Sequence, residues 1–222
     1  PRRAPIRMSN LCCEIDLPTT PLSSHDDTDG EISLCTLSAI NWGLINETSE
    51  FEKYCDLSVR ALDELLDYQG YPVPAAEQGT LSRRPLGVGI INLAYFLAKR
   101  GLKYDESAYD IVDEYAEAWS YYLIKASADL AIEKGKVIYN NDTKYSQGIL
   151  PIDTYKKEAI DNLIKHRELH DWEGLRNQLR ENGIRNSTLM ALMPAETSAQ
   201  ISNSTNGIEP PRDLVSYKQS KD

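Results

Sequence analysis

What the 222-residue chain lacks narrows its role before any motif is read. It has four cysteines, Cys12, Cys13, Cys35 and Cys55, and no C-x-x-C pair. These are too few for a disulfide scaffold and wrongly spaced for zinc, so free thiols in a reducing compartment are expected. Positive charge is in deficit, with 24 Lys and Arg against 34 Asp and Glu and a formal net charge of -10. That balance argues against nucleic acid or an anionic membrane as the main partner, because either would need a positive surface, while a small anionic ligand remains compatible with local dipoles. No apolar run is long enough to cross a bilayer, and the basic opening Pro1-Arg2-Arg3-Ala4-Pro5 leads into none. Neither a membrane span nor a signal peptide is therefore expected, and the cytoplasm is the expected compartment. The chain also starts without methionine, inside what reads as a structured segment. It is expected to be a piece of something longer.

What is present begins with Ser9-Asn10-Leu11-Cys12-Cys13-Glu14-Ile15. In an extended segment alternate side chains share a face, which predicts Asn10, Cys12 and Glu14 on one side and Leu11, Cys13 and Ile15 on the other. An amide, a thiol and a carboxylate at i, i+2 and i+4 are close enough to converge on one small molecule. A half-buried strand with incidental polar residues accounts for the same pattern, and these residues alone do not choose between the two.

A polar loop over residues 18–30 follows, and a second short strand is predicted from Glu31 to Leu37. Two strands joined this way can lie side by side, which would bring Cys35 towards Cys12. On the residues alone the competing reading of Cys35, a small buried strand residue, is preferred. The spacing of Ser49 and Glu52 suits a capping box, and apolar residues then recur at helical period from Phe51 to Leu66 before Gly70 stops the run. Cys55 lies on that stripe and is assigned to packing. Gly87-Val88-Gly89-Ile90-Ile91-Asn92 resembles part of a dinucleotide fingerprint but carries asparagine where the third glycine belongs; close backbone packing before a helix from about Ile90 to Arg100 is preferred. A long helix is predicted from about Ser107 to Lys134, with Tyr121 and Tyr122 as core aromatics, then a helical region around Thr154 to Ile164 and a helix from Trp172 to Glu181. His166 and His170 have metal-compatible spacing, but no H-E-x-x-H pattern or carboxylate partner accompanies them, so they read as surface histidines.

The second informative stretch starts with a predicted buried strand, Ser187 to Met193, running into Pro194-Ala195-Glu196-Thr197-Ser198. A strand turning sharply into a helix start offers backbone N–H groups, and the hydroxyls of Thr197 and Ser198 add donors, together a phosphate cradle. Glu196 is awkward beside an anion unless it binds a sugar hydroxyl or caps the helix. A simple N-cap is the competing account.

Together these motifs resemble the catalytic core of the large (alpha) chain of class I ribonucleoside-diphosphate reductases, most closely the aerobic bacterial and phage branch. The resemblance is carried by residues 9–15, 34–39, 148–155, 185–188, 194–198 and 204–211, in the family's order along nearly the whole chain. It implies an α/β fold, part of a ten-stranded α/β barrel with surrounding helices. Residues 1–222 would form one piece of the barrel domain, with a radical-site loop at 9–15, a helical middle at 49–182 and a diphosphate-binding turn at 194–198.

By that resemblance Cys12 would carry a transient thiyl radical, Glu14 would act as base on the substrate's 3′ hydroxyl, and Asn10 would hold the sugar hydroxyls. Cys35 would be one member of a redox pair. Ser9, Asn10 and Glu14, with Pro194, Ala195, Glu196, Thr197 and Ser198, would bind a ribonucleoside diphosphate. Cys13 replaces an apolar residue common at that position, with no change of mechanism expected. The chain itself is expected to bind no metal or cofactor. A diiron-tyrosyl radical would come from a small (beta) subunit, ATP or deoxynucleotide effectors would bind on the remaining alpha segments, and thioredoxin or glutaredoxin would supply reducing equivalents. The family's second redox cysteine and its radical-transfer tyrosines lie outside this sequence, so the chain is expected to be inactive alone. Two other readings compete: a purely structural half of a split protein, and a nicotinamide-linked oxidoreductase using Gly87 and Gly89.

Overall fold

The computed structural model describes residues 6, 9–164, 168–213, 215 and 217. Two strands and eight α-helices are found there, besides short 3-10 turns: β1 (Leu37–Asn41), α1 (Phe51–Tyr68), α2 (Pro74–Arg83), β2 (Gly87–Ile91), α3 (Leu93–Ala98), α4 (Tyr109–Lys134), α5 (Pro151–Thr154), α6 (Lys157–Ile160), α7 (Trp172–Asn182) and α8 (Glu196–Ile201). None of these helices is long and apolar enough to cross a membrane.

The strands β1 and β2 are parallel, with Leu37 opposite Gly87 and Asn41 opposite Ile91. A parallel pair needs a crossover, and α1 and α2 provide it. A third extended segment lies on the other side of β2. The N–H groups of Leu86 and Val88 donate to the carbonyls of Thr188 and Leu189 at 3.0 and 2.8 Å, and Met190 forms a parallel bridge with Val88. Mixed helix and parallel sheet make this an α/β fold, and the sheet is a section of wall whose helical side carries the core.

That core centres on Trp42, which meets Phe51 and Phe96 edge-on with ring centroids 5.7 Å apart. Phe51 and Phe96 in turn contact Tyr115 of α4, so the turn after β1 is locked to three helices. Cys55 is fully buried on the α1 stripe, as the periodicity predicts, and burial drives its thiol pKa strongly upward.

Several predicted elements need correction. Residues 9–15 are not a strand: Leu11 and Cys12 form a turn closed by the Cys13 N–H donating to the Asn10 carbonyl at 3.1 Å, and Cys13 has φ +57°. The alternation of faces fails with it: Leu11, Cys12 and Cys13 are exposed in succession, and of the predicted apolar face only Ile15 is buried. The strand predicted at Glu31–Leu37 begins only at Leu37, because the Ile32 N–H is taken by the Ala75 carbonyl of α2. The helical middle is interrupted by β2, whose five residues are all buried. Its glycines serve packing: a Cβ on Gly89 would lie against the Met193 sulfur and 2.6 Å from the Ala191 carbonyl oxygen. Buried there, Gly87 and Gly89 line no dinucleotide loop. The strand predicted from Ser187 to Met193 reduces to the single bridge at Met190, and it is buried on one side only, with Leu189, Ala191 and Met193 inside and Leu192 exposed. His166 lies outside the described residues. His170 is no surface histidine: its ring lies 4.7 Å from that of Tyr121 and its Nδ1 is 3.4 Å from Glu117 Oε1. Glu117 stands far away in sequence, so local spacing could not reveal the pair.

Candidate active site

The turn at 9–15 and the segment entering β1 meet at one cluster. Asn10 stands at its centre. Its Nδ2 donates to Glu14 Oε1 at 2.6 Å and to Cys35 Sγ at 3.4 Å, while its Oδ1 accepts the Ile15 N–H at 3.3 Å. The amide is thereby fixed at both ends, which a freely rotating side chain would not be. The Cys35 thiol reaches Glu14 Oε1 at 3.8 Å, and Ser9 Oγ donates to the Ile15 carbonyl at 3.4 Å.

The second carboxylate oxygen of Glu14 is buried and has no hydrogen-bond partner among the described residues. Leaving a charged oxygen so placed costs about 1–3 kcal/mol or more, and such a group is most simply explained by a ligand that completes it. Cys35 is held protonated. Partial burial first and the Glu14 charge second push its pKa up to about 11, with a smaller contribution from the nearby Cys12. Cys12 itself sits exposed at the turn, beside Leu11, which is 99% exposed.

A cleft of about 540 Å³ adjoins the cluster, lined among others by Ser9, Asn10, Leu11, Ile15, Glu31 and Cys35. Pro194 to Ser198 do not border it. Glu196 lines a different cleft of about 590 Å³, with Ser204, Thr205, Asn206 and Arg212. What joins the two regions is Leu37, which packs with Ile15, Leu17 and Ala191 on one side and with Met193, Ala195 and Ala199 on the other.

The turn at 194–198 is narrower as a cradle than the sequence suggests. Pro194 has no N–H, and that of Ala195 donates to Asn206 Oδ1 at 2.9 Å. The donors at its tip are the amides and hydroxyls of Thr197 and Ser198, both exposed in the first turn of α8. Sequence reasoning missed the residues that hold this turn. Asn92, buried at φ +69°, donates from Nδ2 to Asn41 Oδ1 at 2.9 Å, and its Oδ1 accepts the Thr205 N–H at 3.0 Å. Asn41 Nδ2 donates to Ser204 Oγ at 2.8 Å. The carboxyl ends of both strands are thus tied to the loop that carries Asn206. A signal existed: asparagine where a glycine was expected marks a left-handed backbone position, which asparagine tolerates.

Among the described residues no group of three or more His, Cys, Asp or Glu side chains is arranged to hold a metal ion.

Comparison with known proteins agrees with the motif order. A family model described as ribonucleotide reductase, barrel domain, matches residues 2–222. Over 223 residues the chain is 58% identical to the ribonucleoside-diphosphate reductase subunit alpha of Haemophilus influenzae, covering 100% of this chain and 29% of that protein. The corresponding figures are 57% over 223 residues for ribonucleoside-diphosphate reductase 1 subunit alpha of Escherichia coli K12, again 100% and 29%. For the subunit alpha of Enterobacteria phage T4 they are 51% over 225 residues, 99% and 29%. The chain therefore spans under a third of the length of these relatives, 29% in each case.

Proposed function

The chain belongs to the ribonucleotide reductase barrel-domain family, and from that premise we propose that it supplies the reaction centre for reducing ribonucleoside diphosphates to 2′-deoxyribonucleoside diphosphates. The observation that carries the proposal is the cluster of Asn10, Glu14 and Cys35 beside Cys12, with the buried second oxygen of Glu14 left for a ligand hydroxyl.

In this proposal Cys12, as a thiyl radical, takes the 3′ hydrogen of the ribose. The S–H bond made roughly balances the activated C–H bond broken, so the step is reversible. Glu14 accepts the 3′ hydroxyl proton, which weakens that C–H bond, and Asn10 keeps the carboxylate oriented. The 2′ hydroxyl takes a proton from one of the two reducing thiols and leaves as water. The sugar radical gains two electrons and the second thiol hydrogen, and Cys12 returns its hydrogen to C3′, which restores the thiyl radical. Cys35 and a second thiol outside this chain supply the electrons and end as a disulfide. The raised pKa of Cys35 suits it to deliver hydrogen from its protonated form. Thr197 and Ser198 receive the diphosphate, by the donor logic given above.

The relatives are named as alpha subunits, which supports a separate radical-generating beta subunit as partner. We further propose a diiron-tyrosyl radical on that partner, a thioredoxin or glutaredoxin as reductant, and a cytoplasmic setting.

The test uses a complete alpha chain carrying these residues, assembled with its beta subunit. Glu14→Gln keeps the shape but removes the base, and turnover is expected to fall by about 10²–10⁴-fold while KM for the nucleoside diphosphate changes little. Unaltered turnover in Glu14→Gln would remove the assignment.

A further inference from the structure

The turn proposed to seat the diphosphate has little of its own to hold it in place. Of the six residues of α8 only Ala199 is buried, and the N-cap Ala195 makes no side-chain hydrogen bond. So short a helix does not support itself in water. One loop grips it instead, at its start and near its end: Asn206 Oδ1 accepts the Ala195 N–H at 2.9 Å, and the Ser204 N–H donates to the Ala199 carbonyl at 2.8 Å. That loop hangs in turn on buried Asn92, which follows β2. Asn92 Oδ1 accepts the Thr205 N–H at 3.0 Å and the Thr205 hydroxyl at 3.3 Å, and the Asn92 N–H donates to the Thr205 carbonyl at 2.9 Å. Its Nδ2 donates to Asn41 Oδ1 at 2.9 Å, and Asn41 Nδ2 donates to Ser204 Oγ at 2.8 Å. A Cβ on Gly43 would collide with the Asn92 amide, so little room is left for a second rotamer.

We infer that Asn92 is a positioning residue for the substrate, setting affinity for the nucleoside diphosphate by fixing where the Thr197 and Ser198 donors stand relative to the strand wall. The inference rests on the proposed diphosphate seat at that turn. An asparagine side chain donates and accepts at once without adding charge. That suits a tether beside an anion seat which already carries Glu196, in a chain of net charge -10. Without the amide the donors remain on the turn but their placement is loosened, and ordering them then falls on each binding event. The expected loss is comparable to the net worth of one hydrogen bond, about tenfold in affinity.

The test is made in the complete alpha chain assembled with its beta subunit, with cytidine 5′-diphosphate and cytidine as probes. Asn92→Gly removes the amide while tolerating the positive φ and keeping the backbone bond to Thr205. It should raise Kd and KM for cytidine 5′-diphosphate about tenfold and leave kcat at saturation nearly unchanged. Binding of cytidine, which lacks the diphosphate, should not move. Asn41→Ala, read in parallel, should shift affinity in the same direction by a smaller factor. Added to Thr197→Val with Ser198→Ala, Asn92→Gly should weaken binding by clearly less than the product of the separate losses, since both act through one turn. Unchanged diphosphate affinity in Asn92→Gly and Asn41→Ala, an equal loss for cytidine, or the full product in the combined variant would overturn the inference, while a loss in Thr197→Val with Ser198→Ala would still uphold the seat. Cytidine 5′-diphosphate bound as tightly after Thr197→Val with Ser198→Ala as before would remove the seat itself, and the inference with it.

Discussion

Cys35 meets two obstacles to losing its proton, partial burial and the Glu14 carboxylate, and both raise its pKa, from 9.0 to about 11. The sign is that of an acid whose charged form is disfavoured, so the thiolate is scarce at neutral pH and accumulates only as pH approaches 11. At pH 8 alkylation of Cys35 by iodoacetamide should run about a hundredfold slower than that of an ordinary thiol. Glu14→Gln removes the second cause and should accelerate the reaction; an unchanged rate would show that the carboxylate does not act on this sulfur. At this scale the sequence was informative about which residues come together and wrong about how they meet. Asn10 and Glu14 do come together, but across a turn and not along a strand face, because the Cys13 N–H finds its partner in the Asn10 carbonyl.

Among the elements, the starts of β2 and of the third segment are fixed by one buried charge. Asp63 of α1 accepts from Arg84 Nε at 2.6 Å, Asn186 Nδ2 at 2.9 Å and Arg185 Nε at 3.2 Å. Arg84 also spans both oxygens of Asp67 at 2.8 Å, which holds the Asp67 carboxyl below its usual pKa. Asp63→Ala would leave Arg84 Nε and Asn186 Nδ2 without their carboxylate while Arg84 keeps Asp67, and is expected to cost about 1–3 kcal/mol in urea denaturation. A loss under about 1 kcal/mol would mean the hub is dispensable. In β2, Gly89→Val would drive side-chain carbon into Met193 and the Ala191 carbonyl and should destabilise by about 1–3 kcal/mol or more. Helices were legible because their apolar period is local: α1, α4 and α7 lie within a few residues of expectation. β2 was not, since Ile90 and Ile91 read as the start of the following helix, and the pairing with β1 and Met190 that makes them strand comes from residues distant in sequence.

For the whole molecule, the parallel pair and the third segment form one wall, with the Cys12 turn packed through Ile15 and Leu37 and the 194–198 turn through Met193 and Ala195. A ribonucleoside diphosphate joining the two turns would have to span two clefts among the described residues, one lined by Asn10 and Cys35 and the other by Glu196. Their relation depends on long-range packing, through Leu37 and the Asn41–Asn92 pair, that no local pattern encodes. The identity of the family was legible from the order of the motifs, whereas the holding network around Asn92 and Asn206 was not. The most direct measurement is deoxyribonucleotide formation by the complete alpha and beta assembly, with Cys12→Ser compared against the parent. The account expects turnover to vanish while nucleoside diphosphate still binds. Deoxyribonucleotide made by Cys12→Ser at the parent's rate would contradict it.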